Sequence, residues 1–313
     1  MTPPKVSIVI PTLNGAATLP ALLDGIWRQR VPFVFEVIAI DSGSTDGTVE
    51  LLRARGVEVI AIDPRTFDHG LTRNQGIEHA RGELVVLTVQ DAEPASDTWL
   101  TALTAPFARD SRLAGTFARQ QARPDAGGIT RHYLSLWVAA GTEPRLAELA
   151  SVAEFEAMTP MEQLTRCAFD NVCSCIPRSV WAQHPFPSVP IGEDIAWGRT
   201  VLLAGYRLKY VPEAVVVHSH NRSARYELSR TRALHAQLYQ LFGLQTIPTL
   251  PLLARAIASS IPLHVQLRGY GPPSFARAIG WAVAWPLGQY LGARDGIRRA
   301  GTLRPAGDRR CAR

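Results

Sequence analysis

The chain has 313 residues, 46% hydrophobic and 19% charged, and Lys+Arg 33 against Asp+Glu 27 leave a net charge of +6. That length and apolar content support one large domain, or one domain with an extension, and exclude wholesale disorder. The positive surplus comes with no Lys-rich patch or reading motif, so nucleic acid is not an expected partner; part of the surplus sits in the C-terminal run RRAGTLRPAGDRRCAR, which suits solvent or an anionic surface.

In chain order, VSIVI (6–10) predicts a buried strand from its β-branched run, stopped by Pro11. Leu19, Leu22, Leu23, Ile26 and Trp27 then follow helical spacing. FEVIAI (35–40) predicts a second strand, ending in DSGSTDGT, which has loop and helix-cap chemistry. A short helix (49–56) closes on Gly56, and VEVIAI (57–62) predicts a third strand. LTRNQGIEHARG reads as helix, ELVVLTV (83–89) as a fourth strand and DTWLTALTAPF (97–107) as helix again. This alternation predicts an α/β fold with a parallel, helix-covered sheet.

The second half is less regular. Residues 169–181 read as a strand and the start of a helix, 193–208 as an amphipathic helix, and 208–220 as two short extended pieces around Pro212. A long basic helix follows (222–243), and from 244 to 300 apolar helical pieces alternate with Pro and Gly breaks. The expected division is a main domain over 1–245 and a C-terminal helical extension with a basic tail over 246–313. The N-terminus has no signal-peptide pattern, and no uninterrupted apolar run of about 18 residues predicts a spanning helix. The four cysteines, Cys167, Cys173, Cys175 and Cys311, form no C-x-x-C pair and read as free thiols in a reducing cytosol.

Dinucleotide and P-loop glycine signatures are absent. Instead, polar groups stand at the strand ends: Thr12 and Asn14 after the first, Asp41 after the second, Asp91 after the fourth. In an open α/β sheet that edge is where ligands bind. Asp41 suits a ribose or base N–H, or simply a turn. Arg73, at a helix start, suits a diphosphate oxygen, or solvent. Asp91 caps the following helix or supplies a hard oxygen to Mg2+ or Mn2+. Glu193 and Asp194 open a helix after a Pro/Gly-rich loop; they either favour the helix dipole, or one acts as a base on an acceptor hydroxyl. His218 and His220 end an apolar strand, with no Cys or third His spaced for zinc. They read either as structural residues or, for His218, as a ligand to a shared divalent ion.

Taken together, VSIVIPTLNG, VIAIDSGSTDGT, HGLTRNQGIEHARGELVVLTVQDAEP and GEDIAWGRTVLLAGYRLKYVPEAVVVHSH resemble the inverting glycosyltransferases of family two, which have the GT-A fold. The resemblance covers roughly residues 5 to 245. The F-x-H-G-x-T-R-N phrase followed by T-x-Q-D-A-x-P is most similar to the rhamnosyltransferase branch, which uses dTDP-rhamnose. The resemblance implies a nucleotide-sugar pocket lined by Pro11, Thr12, Asn14, Asp41, Arg73 and Gln90. It also implies Mg2+ or Mn2+ at Asp91 with His218 as a further ligand, Asp194 as catalytic base, and Glu193 and Trp197 near the acceptor. One departure stands out: the first acid of the family's D-x-D motif is Val89 here.

The chemistry that follows is a single displacement with inversion. The alternatives are a UDP-hexose donor, or a catalytically silent carbohydrate-binding scaffold on the same fold. A glycan or lipid-linked acceptor is expected, in the cytoplasm or at the inner face of the membrane, and a homo-oligomer is compatible with the pattern. The C-terminal segment reads either as a packed helical subdomain or as an interfacial patch.

Overall fold

The computed structural model describes residues 3–269 and 272–303. Cys311 and the last ten residues of the basic run lie outside them. The chain divides into two compact units. The first comprises the stretches up to Ala126, Tyr133–Met158 and Thr165–His220; the second comprises Gly127–His132, Thr159–Leu164 and the described chain from Asn221 onward. The border expected at residue 245 falls inside the second unit.

The first unit is built on a sheet of β1 (Val6–Thr12), β2 (Phe35–Asp41), β3 (Glu58–Ala61), β4 (Leu84–Thr88), β5 (Glu93–Pro94), β6 (Leu113–Gln121), β7 (Arg145–Ala147), β8 (Cys173–Pro177) and β9 (Arg207–Val217). The strand order is β3-β2-β1-β4-β8-β6-β9-β5, with β7 also on β9. Four parallel strands form the nucleotide-fold half, with β1 between β2 and β4. Strand β8 runs antiparallel between β4 and β6. Its direction matters for the site. The end of β4 and the start of β8 meet at one edge, where Thr88 is opposite Cys173.

The helices are α1 (Leu19–Trp27), α2 (Thr48–Ala54), α3 (His69–His79), α4 (Trp99–Thr104), α5 (Gly128–Ser135), α6 (Val152–Ala157), α7 (Pro160–Arg166), α8 (Arg178–Gln183), α9 (Glu193–Leu203), α10 (Ala224–Phe242), α11 (Leu250–Leu267) and α12 (Pro272–Leu303). Residues 83–89 all but coincide with β4, whose five residues are all buried, as a central parallel strand requires. Helix α3 starts because Asp68 caps it, accepting from Gly70 N and Leu71 N at 2.8 Å each. It lies hard against the sheet: a Cβ on Gly76 would stand 2.3 Å from Val9 Cγ1. The main core runs from Val6, Ile8 and Ile10 through Leu19, Leu23 and Val86 to Trp99 and Val216.

Three expectations are corrected here. Residues 208–220 are not two pieces: β9 is one strand of 11 residues with Pro212 inside it. The register against β6 slips where Ala118 pairs with Val211 and Arg119 with Val215, and at such an irregularity the missing proline N–H costs no ladder bond. Nor do prolines break the C-terminal helices. α11 passes through Pro262 and α12 through Pro286. Pro286 cannot donate to the Ala282 carbonyl one turn back, and Ser260 Oγ supplies that hydrogen bond at 2.8 Å. α11 is an unbroken 18-residue helix, long and apolar enough to cross a membrane by length and composition, with 11% of it buried.

Within the second unit α12 packs closely along α10. Built Cβ atoms on Gly288, Gly292 and Gly296 would meet Thr231 Cβ at 2.8 Å, Arg232 O at 2.4 Å and Tyr239 Cβ at 2.6 Å. Glycine every fourth residue is what lets the two backbones approach. The free thiols Cys167, Cys173 and Cys175 are buried in the first unit, and burial pushes the Cys167 thiol up to about 12.

Candidate active site

The loops after β1 and β2 are stitched to each other by side chains. Asn14, at φ 49, accepts from Thr45 N at 2.9 Å, and its own N–H donates to Ser44 Oγ at 2.8 Å. Gly15 N donates to Thr48 Oγ1 at 2.8 Å and Ala16 N to Asp46 Oδ2 at 3.1 Å. Asp41 organises the turn. Its carboxylate accepts from Thr12 Oγ1, Ser44 Oγ, Gly43 N and Ser44 N at 3.1, 2.5, 3.0 and 2.9 Å. A carboxylate has about four lone-pair sites, so the chain itself fills this one. Pro11 is half-buried inside β1, opposite Ile40. Gln90 clamps the next residues, accepting from Leu13 N at 2.9 Å and donating to Leu13 O at 3.1 Å. Thr12, Asn14, Asp41 and Gln90 therefore shape the strand-end loops through these hydrogen bonds.

Beside Gln90 stands a cluster of donors. Asp91 Oδ1 is 3.6 Å from His218 Nε2, and Asp91 Oδ2 is 3.3 Å from His220 Nε2. The three ligand atoms lie within 4.8 Å of one another. Metal–ligand bonds of about 2.1 Å at roughly right angles put two ligand atoms about 3 Å apart, so the donor set fits a divalent ion. Arg123 donates through its guanidinium to the Asp91 carbonyl, and its N–H to Ser219 Oγ at 3.0 Å, which ties the loop after β6 to both. Val89 packs against the core, so the position of the first D-x-D acid faces inward here.

Asp194 opens α9 at the same edge. Its Oδ2 accepts from Asn171 N at 3.2 Å, and Asn171 leads into β8 beside the end of β4. Burial, with the charges of Glu193 and Asp170 nearby, pushes the Asp194 carboxyl up to about 8. A strongly perturbed carboxyl at a strand-end edge has the character of a catalytic acid or base.

Three of the expected site residues are held by partners within the chain. Arg73 is 5% exposed, and its guanidinium pairs with Glu193 at 2.9 Å and donates to His69 O. Glu193 is buried in that pair and also accepts from Asn171 Nδ2 at 3.3 Å. Trp197 is a core side chain, 0% exposed, packed on Phe169 and Phe186 with its N–H on His184 O.

Residues 7–177 match the glycosyl transferase family 2 profile. The chain belongs to that family. It is 30% identical over 241 residues to the O-antigen chain rhamnosyltransferase RfbN of Salmonella typhimurium, covering 74% of this chain and 73% of that one. It is 28% identical over 239 residues to the O-antigen chain rhamnosyltransferase WbaN of Salmonella anatum, with the same coverage of each. Among solved structures, the Pyrobaculum calidifontis mannosyltransferase PcManGT in complex with GDP-Man and Mn2+ aligns over 97% of this chain and 76% of its own, at TM-score 0.55 and 22% identity. Glucosyl-3-phosphoglycerate synthase of Mycobacterium tuberculosis aligns over 77% and 81%, at TM-score 0.54 and 18% identity. These two share the GT-A-like fold.

The protein is thus a nucleotide-sugar-dependent glycosyltransferase. Three residues of its site, Gln120, Asp170 and Asn171, were not foreseen from the sequence of the transferase, and His220 was weighed only as half of a zinc pair. His220 joins Asp91 as a second imidazole. Gln120 lies on β6, a strand that sequence patterning did not predict, and its Oε1 is 2.9 Å from His218 Nδ1. Asp170 and Asn171 precede β8; the FDN triplet before an apolar run was the available signal.

Proposed function

We propose that this glycosyltransferase moves rhamnose from dTDP-rhamnose to a glycan hydroxyl by a single inverting displacement. The observation that carries the reading is Asp194: a carboxylate with a raised pKa, at the strand-end edge that also holds Asp91. Asp194 takes the acceptor hydroxyl proton. The acceptor oxygen forms its bond to the anomeric carbon as the bond to the diphosphate oxygen breaks, and that electron pair leaves with the nucleotide. Asp91 and His218, with His220, would hold a divalent ion, whose charge would offset that of the diphosphate. The loops shaped by Thr12, Asn14, Asp41 and Gln90, with Pro11, form the nucleotide side. Arg73 supports them through Glu193 and α9. The rhamnose and glycan parts of the reading are supported by the two O-antigen rhamnosyltransferases.

The reading also places the acceptor at a lipid surface, and this part rests on α11. It leaves Leu250 (64%), Leu252 (45%) and Leu263 (37%) exposed, and residues 228–294 contain no acid but six arginines. An apolar face among cations suits an anionic headgroup layer, where a lipid-linked acceptor would present itself.

The test is nucleoside-diphosphate release from dTDP-rhamnose, UDP-glucose and UDP-galactose, with Mg2+, Mn2+ or EDTA. Release from dTDP-rhamnose alone, lost with EDTA and in Asp91→Ala and Asp194→Asn, is expected. Release from a UDP-hexose instead would overturn the donor. If no donor is turned over and no nucleotide binding responds to metal, the silent-scaffold reading stands in its place.

A further inference from the structure

Around His218 the hydrogen bonds run in one direction. Asp170 accepts from Val172 N at 2.8 Å, Trp137 Nε1 at 2.5 Å and Gln120 Nε2 at 2.7 Å. Three N–H donors converging on one carboxylate make it an acceptor. The Gln120 amide is thereby oriented with Nε2 toward Asp170 and Oε1 toward His218. Oε1 can only accept, so His218 Nδ1 carries the proton facing it at 2.9 Å. In a neutral imidazole the other nitrogen, Nε2, then holds its lone pair, and it is this atom that faces Asp91 Oδ1. His220 stands edge-on to His218, ring centroids 4.8 Å apart, with its own Nε2 toward the other Asp91 oxygen.

We propose that Asp91, His218 and His220 form a two-imidazole, one-carboxylate site that selects a transition-metal ion over Mg2+, and that Gln120, held by Asp170, is the positioning residue that presents His218 Nε2 to it. This rests on the divalent-ion part of the reading above. The selectivity follows from the donors. Mg2+ favours oxygen ligands in a tight octahedron and keeps several waters, so two imidazoles serve it poorly. Borderline ions accept nitrogen readily, with affinity rising from Mn2+ to Co2+. An outer-shell acceptor on the far ring nitrogen fixes the tautomer and raises the basicity of the ligating one. Val89 contributes to the same end, because the oxygen that a first D-x-D acid would have offered is absent.

The test uses the full-length protein and Mn2+ alone, with no donor, so it reads the site independently of transfer. Mn2+ binding is followed by electron paramagnetic resonance, and bound imidazole nitrogens by electron spin-echo modulation. Wild type is expected to show two coordinated imidazoles, and His220→Ala one. Mg2+ is expected to displace Mn2+ only at about tenfold or greater excess, and Co2+ below equivalence. Gln120→Met keeps the side-chain length without the acceptor. It is expected to weaken Mn2+ binding about ten- to a hundredfold with the circular dichroism spectrum intact. Displacement by equimolar Mg2+, no imidazole modulation, or an unchanged signal in His220→Ala would each overturn the proposal. A failed Gln120→Met fold leaves the His220→Ala and Mg2+ outcomes to decide it. A lost sugar transfer with the two-imidazole signal intact would count against the function and not against the site.

Discussion

Asp194 makes the most direct prediction at the scale of one residue. Its carboxyl is raised from an ordinary 3.8 to about 8, first by burial and then by the charges of Glu193 and Asp170. A base must be unprotonated to act, so kcat/KM should rise about tenfold per pH unit below that value and level off above it. The stability sign runs the other way. Between 3.8 and about 8 the folded protein keeps a proton that the unfolded chain has released. The stability this site contributes is therefore present at low pH and lost as pH climbs through that window. Asp194→Asn mimics the protonated form at every pH. It should reduce transfer by about a hundredfold or more, and its Tm relative to wild type should be higher at pH 9 than at pH 5. Calorimetry at the two pH values checks the second part; an equal Tm difference at both would mean that Asp194 is not buried as a charge.

At the scale of elements, close backbone approach sets the expectations. Gly76→Ala would drive a Cβ to 2.3 Å from Val9 Cγ1, with Ile40 Cγ1 at 3.2 Å, in a core with no slack. A cost of about 1–3 kcal/mol is expected, read as a lower denaturation midpoint with unchanged slope. In the second unit, Ser260→Ala leaves the Ala282 carbonyl, already deprived of a donor by Pro286, without its hydroxyl partner. About 1–2 kcal/mol should be lost there. Ser260→Thr keeps the hydroxyl and should lose less, which separates the hydrogen bond from packing.

At the scale of the whole molecule, the Arg73–Glu193 pair joins positions 120 residues apart in the chain, with both side chains almost wholly buried. Arg73→Ala strands a buried carboxylate and should cost about 3–5 kcal/mol, far more than any exposed ion pair. Chemical denaturation of Arg73→Ala beside the exposed-pair variant Arg55→Ala gives the comparison. The face of α11 makes a different prediction. Full-length protein should co-sediment with phosphatidylglycerol vesicles and not with phosphatidylcholine, and Leu250→Ser with Leu252→Ser and Leu263→Ser should reduce that binding about tenfold or more. Equal sedimentation of the triple variant would assign the face to another protein surface.

The continuous apolar runs and helical patterns of residues 6–107 were sufficient by themselves to determine the alternating strands and helices of the parallel half, because a central strand buried on both faces must be apolar throughout. The same patterns put Asp41, Asp91 and Asp194 at element ends. They could not show which of these polar groups the chain itself consumes. Asp41 fills its lone pairs with turn donors, Arg73 and Glu193 neutralise each other, and Trp197 disappears into an aromatic core, all through partners distant in sequence. Nor could the pattern reveal the antiparallel β8 that brings Asn171 to Asp194, or the strand that carries Gln120 to His218. The prolines at 262 and 286 read as helix breaks because their local cost is visible in the sequence, whereas the Ser260 hydroxyl that relieves one of them belongs to another helix. Periodicity is a local property and was legible; hydrogen-bond satisfaction and charge pairing depend on what folding brings alongside, and only the tertiary structure decided them.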